Sequence, residues 1–379
     1  MVTMESIANS NETGREKARR YDVVVIGAGQ AGLAVGYYLA RQGRRFVILD
    51  ERARVGDIWR SRWDSLRLFS PARVDALPGM PFPLPWHVFP TRDQMADYLE
   101  AYANHFGLPV RTGVRVDGLW PAGEGQQGYV LTAGDRRYEA TQVVIATGAQ
   151  EGPHIPALAA ELDPGIRQLH SSEYRNPAQL QAGDVLVVGA GNSGAEIAIE
   201  AARDHHTTLA GRHPGHVPFR IDRPIARMVI LPVLWFVATR VLTLSTPPGR
   251  KVGPFVRSGH AGPLVRTKPS DVLAAGVERT EARVAGVRDG RPLLDDGRAL
   301  DVANVVWCTG FRNDFPWVHL PVFGEDGYPI QERGVVPDAP GLFFIGLPFL
   351  YSFSSMLVGG AGRDAAHIAD KIAAYANVL

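Results

Sequence analysis

Two glycine-rich turns constrain this chain more than any other feature of its sequence. GAGQAG (27–32) follows the apolar run 23–26, and GAGNSG (189–194) follows the apolar run 185–188. Each turn stands between a predicted buried strand and a predicted helix, the context in which GxGxxG lets a helix N-terminus face the pyrophosphate of a dinucleotide. The sequence therefore predicts an α/β fold with two dinucleotide-binding, Rossmann-like lobes.

The order of the motifs predicts how the two lobes share the chain. VVIATG (143–148) and VVWCTG (305–310) each close on Thr-Gly, at the same distance from the glycine-rich turn of their own lobe. GLFFIG (341–346) and a last helical pattern repeat the features of the first lobe. We therefore expect the second lobe to be nested within the first; the alternative is two consecutive domains and a tail. The predicted parts are a disordered tail (1–20), the first lobe (21–150 and 311–379) and the second lobe (151–310), which carries an apolar insertion at about 214–268.

The residue after the second strand of each lobe predicts which nucleotide binds. Asp50 stands eighteen residues after Gly32, where a carboxylate accepts hydrogen bonds from ribose hydroxyls, so the first lobe is expected to bind FAD or NAD. In the second lobe Arg212 takes the comparable place, and its planar guanidinium suits the 2′-phosphate of NADPH. The alternative is an ordinary surface arginine. Two bound dinucleotides imply hydride transfer from NADPH to FAD.

Composition excludes several classes of function. Forty Lys and Arg residues against thirty-nine Asp and Glu leave a net charge of +1, so no chain-wide basic field for nucleic acid is present. The only cysteine, Cys308, allows neither a Cys-x-x-Cys redox pair nor a thiolate cluster, and no metal site is predicted. Residues 1–20 lack the apolar core of a signal peptide, so a cytoplasmic protein is expected. The oligomeric state is left open, a homodimer included.

One apolar stretch, from Met228 to Leu244, requires its own interpretation. Pro232 and Arg240 interrupt it, and it barely reaches about 17 residues, the shortest length that spans a bilayer. We expect a buried or pocket-covering pair of helices that selects a lipophilic substrate and keeps water from the flavin, rather than membrane contact. Ordinary core packing is the alternative.

The motifs together resemble the class B flavoprotein monooxygenases, a family of N- and S-oxygenases, Baeyer–Villiger enzymes and plant auxin-forming enzymes. The resemblance covers nearly the whole chain and rests on GAGQAG, VGDIWR (55–60), WDSLRLFSP (63–71), GAGNSG, VVWCTGFRNDF and GLPFLYSFSSMLVGGAGRDA. Half of the family fingerprint FxGxxxHxxxY is present, as His170 and Tyr174, whereas Pro164 and Ile166 replace its Phe and Gly. The chain looks most similar to short bacterial flavoproteins whose name refers to cation transport.

The resemblance also implies roles for individual residues. Those implied to bind FAD are Gly27, Gly29, Gly32, Asp50, Trp59, Val114, Gly148 and Gly346. Those implied to bind NADPH are Gly189, Gly191, Asn192, Ser193, Arg212, His170 and Tyr174. His170 and Tyr174 either position NADP⁺ or brace the interface between the lobes, with a purely structural hinge as the alternative. For Trp59 the alternative is a core position. Arg67 and His170 are the catalytic candidates, with Arg60 and Arg92 as alternatives to Arg67.

The function implied by the resemblance is an FAD- and NADPH-dependent monooxygenase. In such enzymes NADPH reduces FAD, oxygen adds at the flavin C4a carbon to give a (hydro)peroxyflavin, and a small lipophilic amine, sulfide or ketone is oxygenated. The second hypothesis is a flavin reductase or oxidase that passes electrons to a quinone or to oxygen as hydrogen peroxide. A nucleotide-sensing regulator of transport, which turns over no NADPH, is the third.

Overall fold

The computed structural model describes residues 19–123, 125–148, 152–258, 262–312 and 314–376. Most of the predicted tail, 1–18, lies outside the described residues. The first strand begins at Arg19, so residues 19 and 20, expected in the disordered tail, belong to this strand instead.

Strands and helices alternate along the chain, as the sequence pattern predicts. The strands are β1 (Arg19–Ile26), β2 (Phe46–Leu49), β3 (Val110–Arg111), β4 (Gly118–Pro121), β5 (Tyr129–Ala133), β6 (Arg136–Ile145), β7 (Gly152–Pro153), β8 (Arg167–His170), β9 (Val185–Val188), β10 (Thr207–Ala210), β11 (Glu278–Thr280), β12 (Val284–Arg288), β13 (Arg291–Leu294), β14 (Asn304–Trp307), β15 (Phe311–Arg312) and β16 (Leu342–Phe344). The α-helices are α1 (Gln30–Arg41), α2 (Asp57–Arg60), α3 (Arg92–His105), α4 (Asn192–Ala201), α5 (Leu231–Phe236), α6 (Pro247–Arg257), α7 (Pro269–Ala274) and α8 (Val358–Ala376).

The first sheet has the strand order β3-β2-β1-β6-β5-β4, and β16 also pairs with β6. Pairing is parallel among β3, β2, β1, β6 and β16, whereas β4 and β5 add an antiparallel edge. Val23, Val24 and Val25 of β1 are fully buried, because a parallel strand covered on both faces needs a continuous apolar run rather than an alternating one. Helices α1 and α8 pack against each other beside this sheet.

The second sheet contains five parallel strands in the order β11-β10-β9-β14-β8. All five come, in sequence, after β6 and before β16, so the chain leaves the first sheet, builds the second and returns. The outgoing and returning connections run side by side, because β7 and β15 form a short antiparallel pair. The predicted α/β class with parallel sheets is therefore confirmed.

The apolar insertion differs from the expectation of buried helices. A π-helical turn (Ala226–Ile230), α5 and a second π-helical turn (Val237–Val241) form one continuous helical segment, and α6 follows it. Met228 and Val233 are more than half exposed, so this segment is not core packing. Among the described helices of the insertion, only α6 lines a cavity, as a pocket-covering helix is expected to do. Among the helices of the described ranges, none combines the length and the hydrophobicity that crossing a membrane requires.

Candidate functional site

The first glycine-rich turn joins β1 to α1 and leaves room for backbone only. Gly27 has a φ of +105°, and a Cβ placed there would lie 2.6 Å from the Ala146 carbonyl oxygen. A Cβ on Gly32 would lie 1.9 Å from the Gly27 carbonyl oxygen. Such distances are shorter than any real contact, so the turn requires glycine at both positions. The helix therefore begins close to the strand, with its N-terminus at the turn.

The second turn, between β9 and α4, repeats this geometry. Gly189 has a φ of +106°, and a Cβ there would lie 2.3 Å from the Cys308 carbonyl oxygen. A Cβ on Gly194 would lie 1.8 Å from the Gly189 carbonyl oxygen. Ala146 and Cys308 each follow the neighbouring central strand, so corresponding backbone groups crowd both turns.

One cavity of about 1400 Å³ reaches both turns. Many predicted site residues line it: Gly27, Gly29, Asp50, Trp59, Val114, Gly148 and Gly346 of the predicted FAD set, Asn192 and Ser193 of the predicted NADPH set, and Arg67. Gly32, Gly189, Gly191, Arg212, His170 and Tyr174 lie outside this lining in the described structure. The structure thus brings most of the first set and the start of α4 into a single space.

Asp50 lies just after β2 and contacts the first turn directly. Its Oδ2 accepts a hydrogen bond from the Ala28 amide at 2.6 Å, and its Oδ1 accepts one from the Arg52 amide at 2.8 Å. The carboxylate therefore ties the end of β2 to the glycine-rich turn. Because it is half-buried at the cavity wall, it is also available to ribose hydroxyls there.

Asn192 connects the first turn of α4 to the loop near the end of the insertion. Its side-chain Oδ1 accepts a hydrogen bond from the Val265 amide at 2.9 Å, and its Nδ2 donates to the Pro263 carbonyl at 3.1 Å. The side chain thus fixes this loop beside the helix N-terminus, a positioning contact that the sequence pattern does not reveal.

His170 is fully buried at the end of β8. Its Nε2 lies 2.9 Å from the Gly310 carbonyl oxygen, and its Nδ1 lies 2.8 Å from Ser172 Oγ. Because a carbonyl oxygen only accepts, Nε2 carries the proton and Nδ1 accepts from the hydroxyl. Burial lowers the pKa of His170 and favours this neutral form. These contacts join β8 to the turn after β14.

Tyr174 is fully buried in the core of the second sheet, against residues such as Val187 and Ala195. Burial raises the pKa of its phenol, which stays protonated. These contacts hold His170 and Tyr174 within the second sheet, and the roles that the sequence leaves open for the pair stay predictions.

Arg212 stands two residues after β10 and is exposed. The neighbouring Arg279 donates to the carbonyl oxygens of Gly211, at 2.5 Å, and of Leu209, at 3.1 Å. These bonds hold the end of β10 in place and leave the Arg212 side chain at the surface.

The arginine candidates separate by their partners. Arg60 pairs with Asp97 at 2.8 Å, and Arg92 pairs with Asp64 at 2.7 Å, so both are engaged in ion pairs. Arg67 is exposed and lines the cavity, with a long 3.4 Å hydrogen bond to the Phe89 carbonyl. Arg62 also lines it, a residue that the sequence analysis missed. Burial lowers the pKa of Arg62 to about 10, and its guanidinium lies over the Phe311 ring.

Two carboxyl groups, one lining the cavity and one beside it, also escaped the sequence analysis. Glu196, on α4, lines the cavity, and burial raises its pKa to about 7 against the opposing charge of Arg266. Ser70 lines the cavity as well and donates to Asp75 Oδ1 at 2.6 Å. Asp75 is almost completely buried, and this burial raises its pKa to about 7. The signal available for Glu196 was that two acidic residues, Glu196 and Glu200, stand in a mostly apolar helix.

Cys308 does not provide redox chemistry of its own. Burial raises the pKa of its thiol to about 12, so it remains protonated and unreactive near neutral pH. Within the described ranges, no group of three or more His, Cys, Asp or Glu side chains is arranged to hold a metal ion.

Comparison with known proteins agrees with this architecture. Residues 24–220 match the family model described as pyridine nucleotide-disulphide oxidoreductase. The chain is 38% identical to an uncharacterised CzcO-like oxidoreductase of Geobacillus kaustophilus, over 93% of this chain and 98% of that protein. It is 30% identical to a probable indole-3-pyruvate monooxygenase of Arabidopsis thaliana, over 92% of this chain and 87% of the relative.

Among solved structures, the chain is similar to a flavin-containing monooxygenase from Stenotrophomonas maltophilia. The TM-score is 0.74 and the identity 29%, over 94% of this chain and 99% of that one. These relatives match along almost the whole length, the glycine-rich turns included. The chain therefore belongs to the class B flavoprotein monooxygenase family.

Proposed function

We propose that this protein is an FAD-dependent monooxygenase that takes its electrons from NADPH and oxygenates a small lipophilic molecule. The observation that carries the proposal is the single cavity that reaches two glycine-rich turns of the same geometry. Two separate nucleotide sites would leave an electron donor and its acceptor apart, whereas a shared cavity lets their reacting rings meet.

The first turn and the walls around it form the FAD site of this proposal. Gly27 and Gly32 let the backbone approach a pyrophosphate, and Asp50 accepts from the ribose. Trp59, Val114, Gly148 and Gly346 line the remainder. When bound, the flavin supplies the redox and oxygen chemistry, and the protein binds it, orients it and excludes water. The FAD-binding part comprises 21–150 and 311–379.

The second turn forms the NADPH site, within the part 151–310. Gly189, Gly191, Asn192 and Ser193 bind the pyrophosphate at the start of α4, and Arg212 binds the 2′-phosphate from the end of β10. His170 and Tyr174 brace this part from within, which keeps the turn after β14 beside the turn after β9.

The expected substrate is apolar because one group of residues that line the cavity is apolar. Residues from two elements form this group: Val252, Phe255 and Val256 of α6, and Phe353, Met356 and Leu357 before α8. These side chains exclude water from the reacting atoms and select molecules by shape and hydrophobicity rather than by charge. The catalytic candidate Arg67 also lines the cavity, where a positive charge stabilises developing negative charge.

The experiment that tests this assignment compares the two nicotinamide cofactors. The purified protein should contain FAD and oxidise NADPH in preference to NADH. Arg212→Ala should raise KM for NADPH by roughly 10- to 100-fold, the loss of about 1.5–3 kcal/mol from a charge-assisted contact, and should change KM for NADH less than about twofold.

Arg203→Ala is the matched control, because this arginine is exposed at the end of α4. It should leave both constants unchanged. An equal rise of KM for NADPH and NADH in Arg212→Ala would contradict the NADPH assignment.

A further inference from the structure

The insertion presents a continuous apolar stripe to solvent. Ile225, Met228, Val229, Val233 and Phe236 are 67%, 64%, 55%, 55% and 60% exposed. They recur at helical spacing on one face of the segment formed by the two π-helical turns and α5. A monomeric soluble protein rarely exposes so many large apolar side chains side by side, and such a patch marks an interaction surface.

The opposite face of this segment is held firmly, so the exposure is a feature of the fold. Ala226 and Ala238 are buried beneath it. Arg363, on α8, donates to the Thr239 carbonyl at 2.7 Å, and the Leu244 amide donates to the Tyr351 carbonyl at 2.8 Å. The segment therefore presents a fixed apolar face to solvent.

The charge of the insertion identifies what this face would contact. Residues 214–268 contain nine Lys and Arg residues and a single acidic residue, Asp222, although the whole chain has a net charge of only +1. Arg223 and Arg240, which flank the stripe in the sequence, are exposed, and so are Arg250 and Lys251 of α6. A helical face with large apolar side chains and surrounding basic residues is the pattern of a segment that lies in the interface of an anionic bilayer.

A second copy of this chain fits the surface less well. Pairing two such faces would bring two strongly basic insertions together, which like-charge repulsion opposes. Lipid phosphates supply the complementary negative charge, and the acyl region receives the apolar side chains.

We propose that the stripe and its basic border bind the surface of an anionic lipid bilayer, with the apolar side chains in the headgroup–acyl boundary. This reverses the expectation drawn from the apolar stretch alone. Phe255 of α6, in the same insertion, is 60% exposed and also lines the cavity. The docking is independent of the proposed oxygenation chemistry.

Vesicle co-sedimentation of the full chain tests this proposal. The probes are vesicles of equal parts phosphatidylcholine and phosphatidylglycerol, and vesicles of phosphatidylcholine alone. The wild type should sediment with the anionic vesicles, less with the neutral ones, and less as salt rises. The triple variant Met228→Ser/Val229→Ser/Val233→Ser should lose at least tenfold in partition coefficient, and Arg223→Gln/Arg240→Gln should lose the preference for anionic vesicles.

Leu273→Ser is the matched control, because Leu273 is 64% exposed on α7, outside the stripe. It should bind like the wild type. Thermal unfolding checks that each variant is folded, a readout that does not depend on enzymatic activity. Wild-type protein that stays in the supernatant with anionic vesicles would overturn the proposal. So would a dimer, seen by light scattering, that the triple variant dissociates, because a second copy would then be the occupant.

Discussion

At the scale of single residues, the site depends on where charge is placed and on how deeply it is buried. Asp50 is half-buried at the cavity and holds backbone amides, whereas Asp75 is almost completely buried with a hydroxyl partner. Both are aspartates in loops beside the same cavity. Burial makes the ionised form of Asp75 costly, because a carboxylate without a counter-charge is unfavourable in an apolar environment.

Asp75 leads to a prediction about stability and pH. Its pKa is raised from 3.8 to about 7, so the folded protein holds this proton more tightly than the unfolded chain does. The free energy of unfolding should therefore fall as pH rises between these values, and level off above. Asp75→Asn removes the penalty and should be more stable than the wild type at pH 8 by up to about 4 kcal/mol, with a smaller difference near pH 4.

Urea unfolding across this pH range measures the effect. Asp204→Asn, at an exposed aspartate, is the control and should give a pH-independent difference from the wild type. If the free energies of unfolding of Asp75→Asn and the wild type changed with pH in parallel, the folded protein would not hold the Asp75 proton.

The sequence motifs reveal the residues of the site that belong to a strand–turn–helix unit. They do not reveal the residues whose pKa is raised by burial. Gly27, Gly189 and Asp50 follow directly from strand–turn–helix spacing. Glu196 and Asp75 do not, because their raised pKa values depend on neighbours that are far apart in the sequence. His170 was predicted as a site residue, but only the structure reveals its bond to Gly310, which lies 140 residues away.

At the scale of elements, the two glycine-rich turns are equivalent in shape and proposed to serve different nucleotides. Their strands could be predicted from sequence, because fully buried parallel strands are continuous apolar runs. Helix α3 has a start that is readable in the sequence: Thr91 caps it, with a capping box completed by Gln94. The insertion was wrongly expected to be buried, since an apolar composition does not distinguish a face packed against protein from one left exposed.

The equivalence of the turns predicts a selective loss of cofactors. In Gly32→Ala the new Cβ meets the Gly27 carbonyl, and in Gly194→Ala it meets the Gly189 carbonyl, so each variant pushes one helix away from its own turn. Gly32→Ala should retain less than about a tenth of the wild-type FAD. Gly194→Ala should retain FAD, still be reduced by dithionite and lose reduction by NADPH.

Flavin absorbance of the purified variants and anaerobic titration with NADPH measure both effects. Gly123→Ala is the control, because a Cβ at this exposed turn meets no atom within 4 Å. If Gly194→Ala lost FAD as readily as Gly32→Ala, the two turns would not serve separate nucleotides.

At the scale of the whole molecule, the chain builds one sheet, inserts a second and returns, so that both turns border one cavity. The order of the motifs predicted this path. The shared cavity could not be predicted, because it depends on how the two sheets are placed relative to each other. With a single cysteine, the chain has no Cys-x-x-Cys pair of its own to receive electrons.

The central claim is that the cavity directs oxygen chemistry rather than simply passing electrons on. Stopped-flow absorbance of the NADPH-reduced protein mixed with oxygenated buffer tests it most directly. We expect a delay before the oxidised-flavin absorbance returns, and bound NADP⁺ should lengthen this delay because it closes the cavity to water. An immediate return of oxidised flavin with stoichiometric hydrogen peroxide, unaffected by NADP⁺, would contradict it and identify a reductase or oxidase instead.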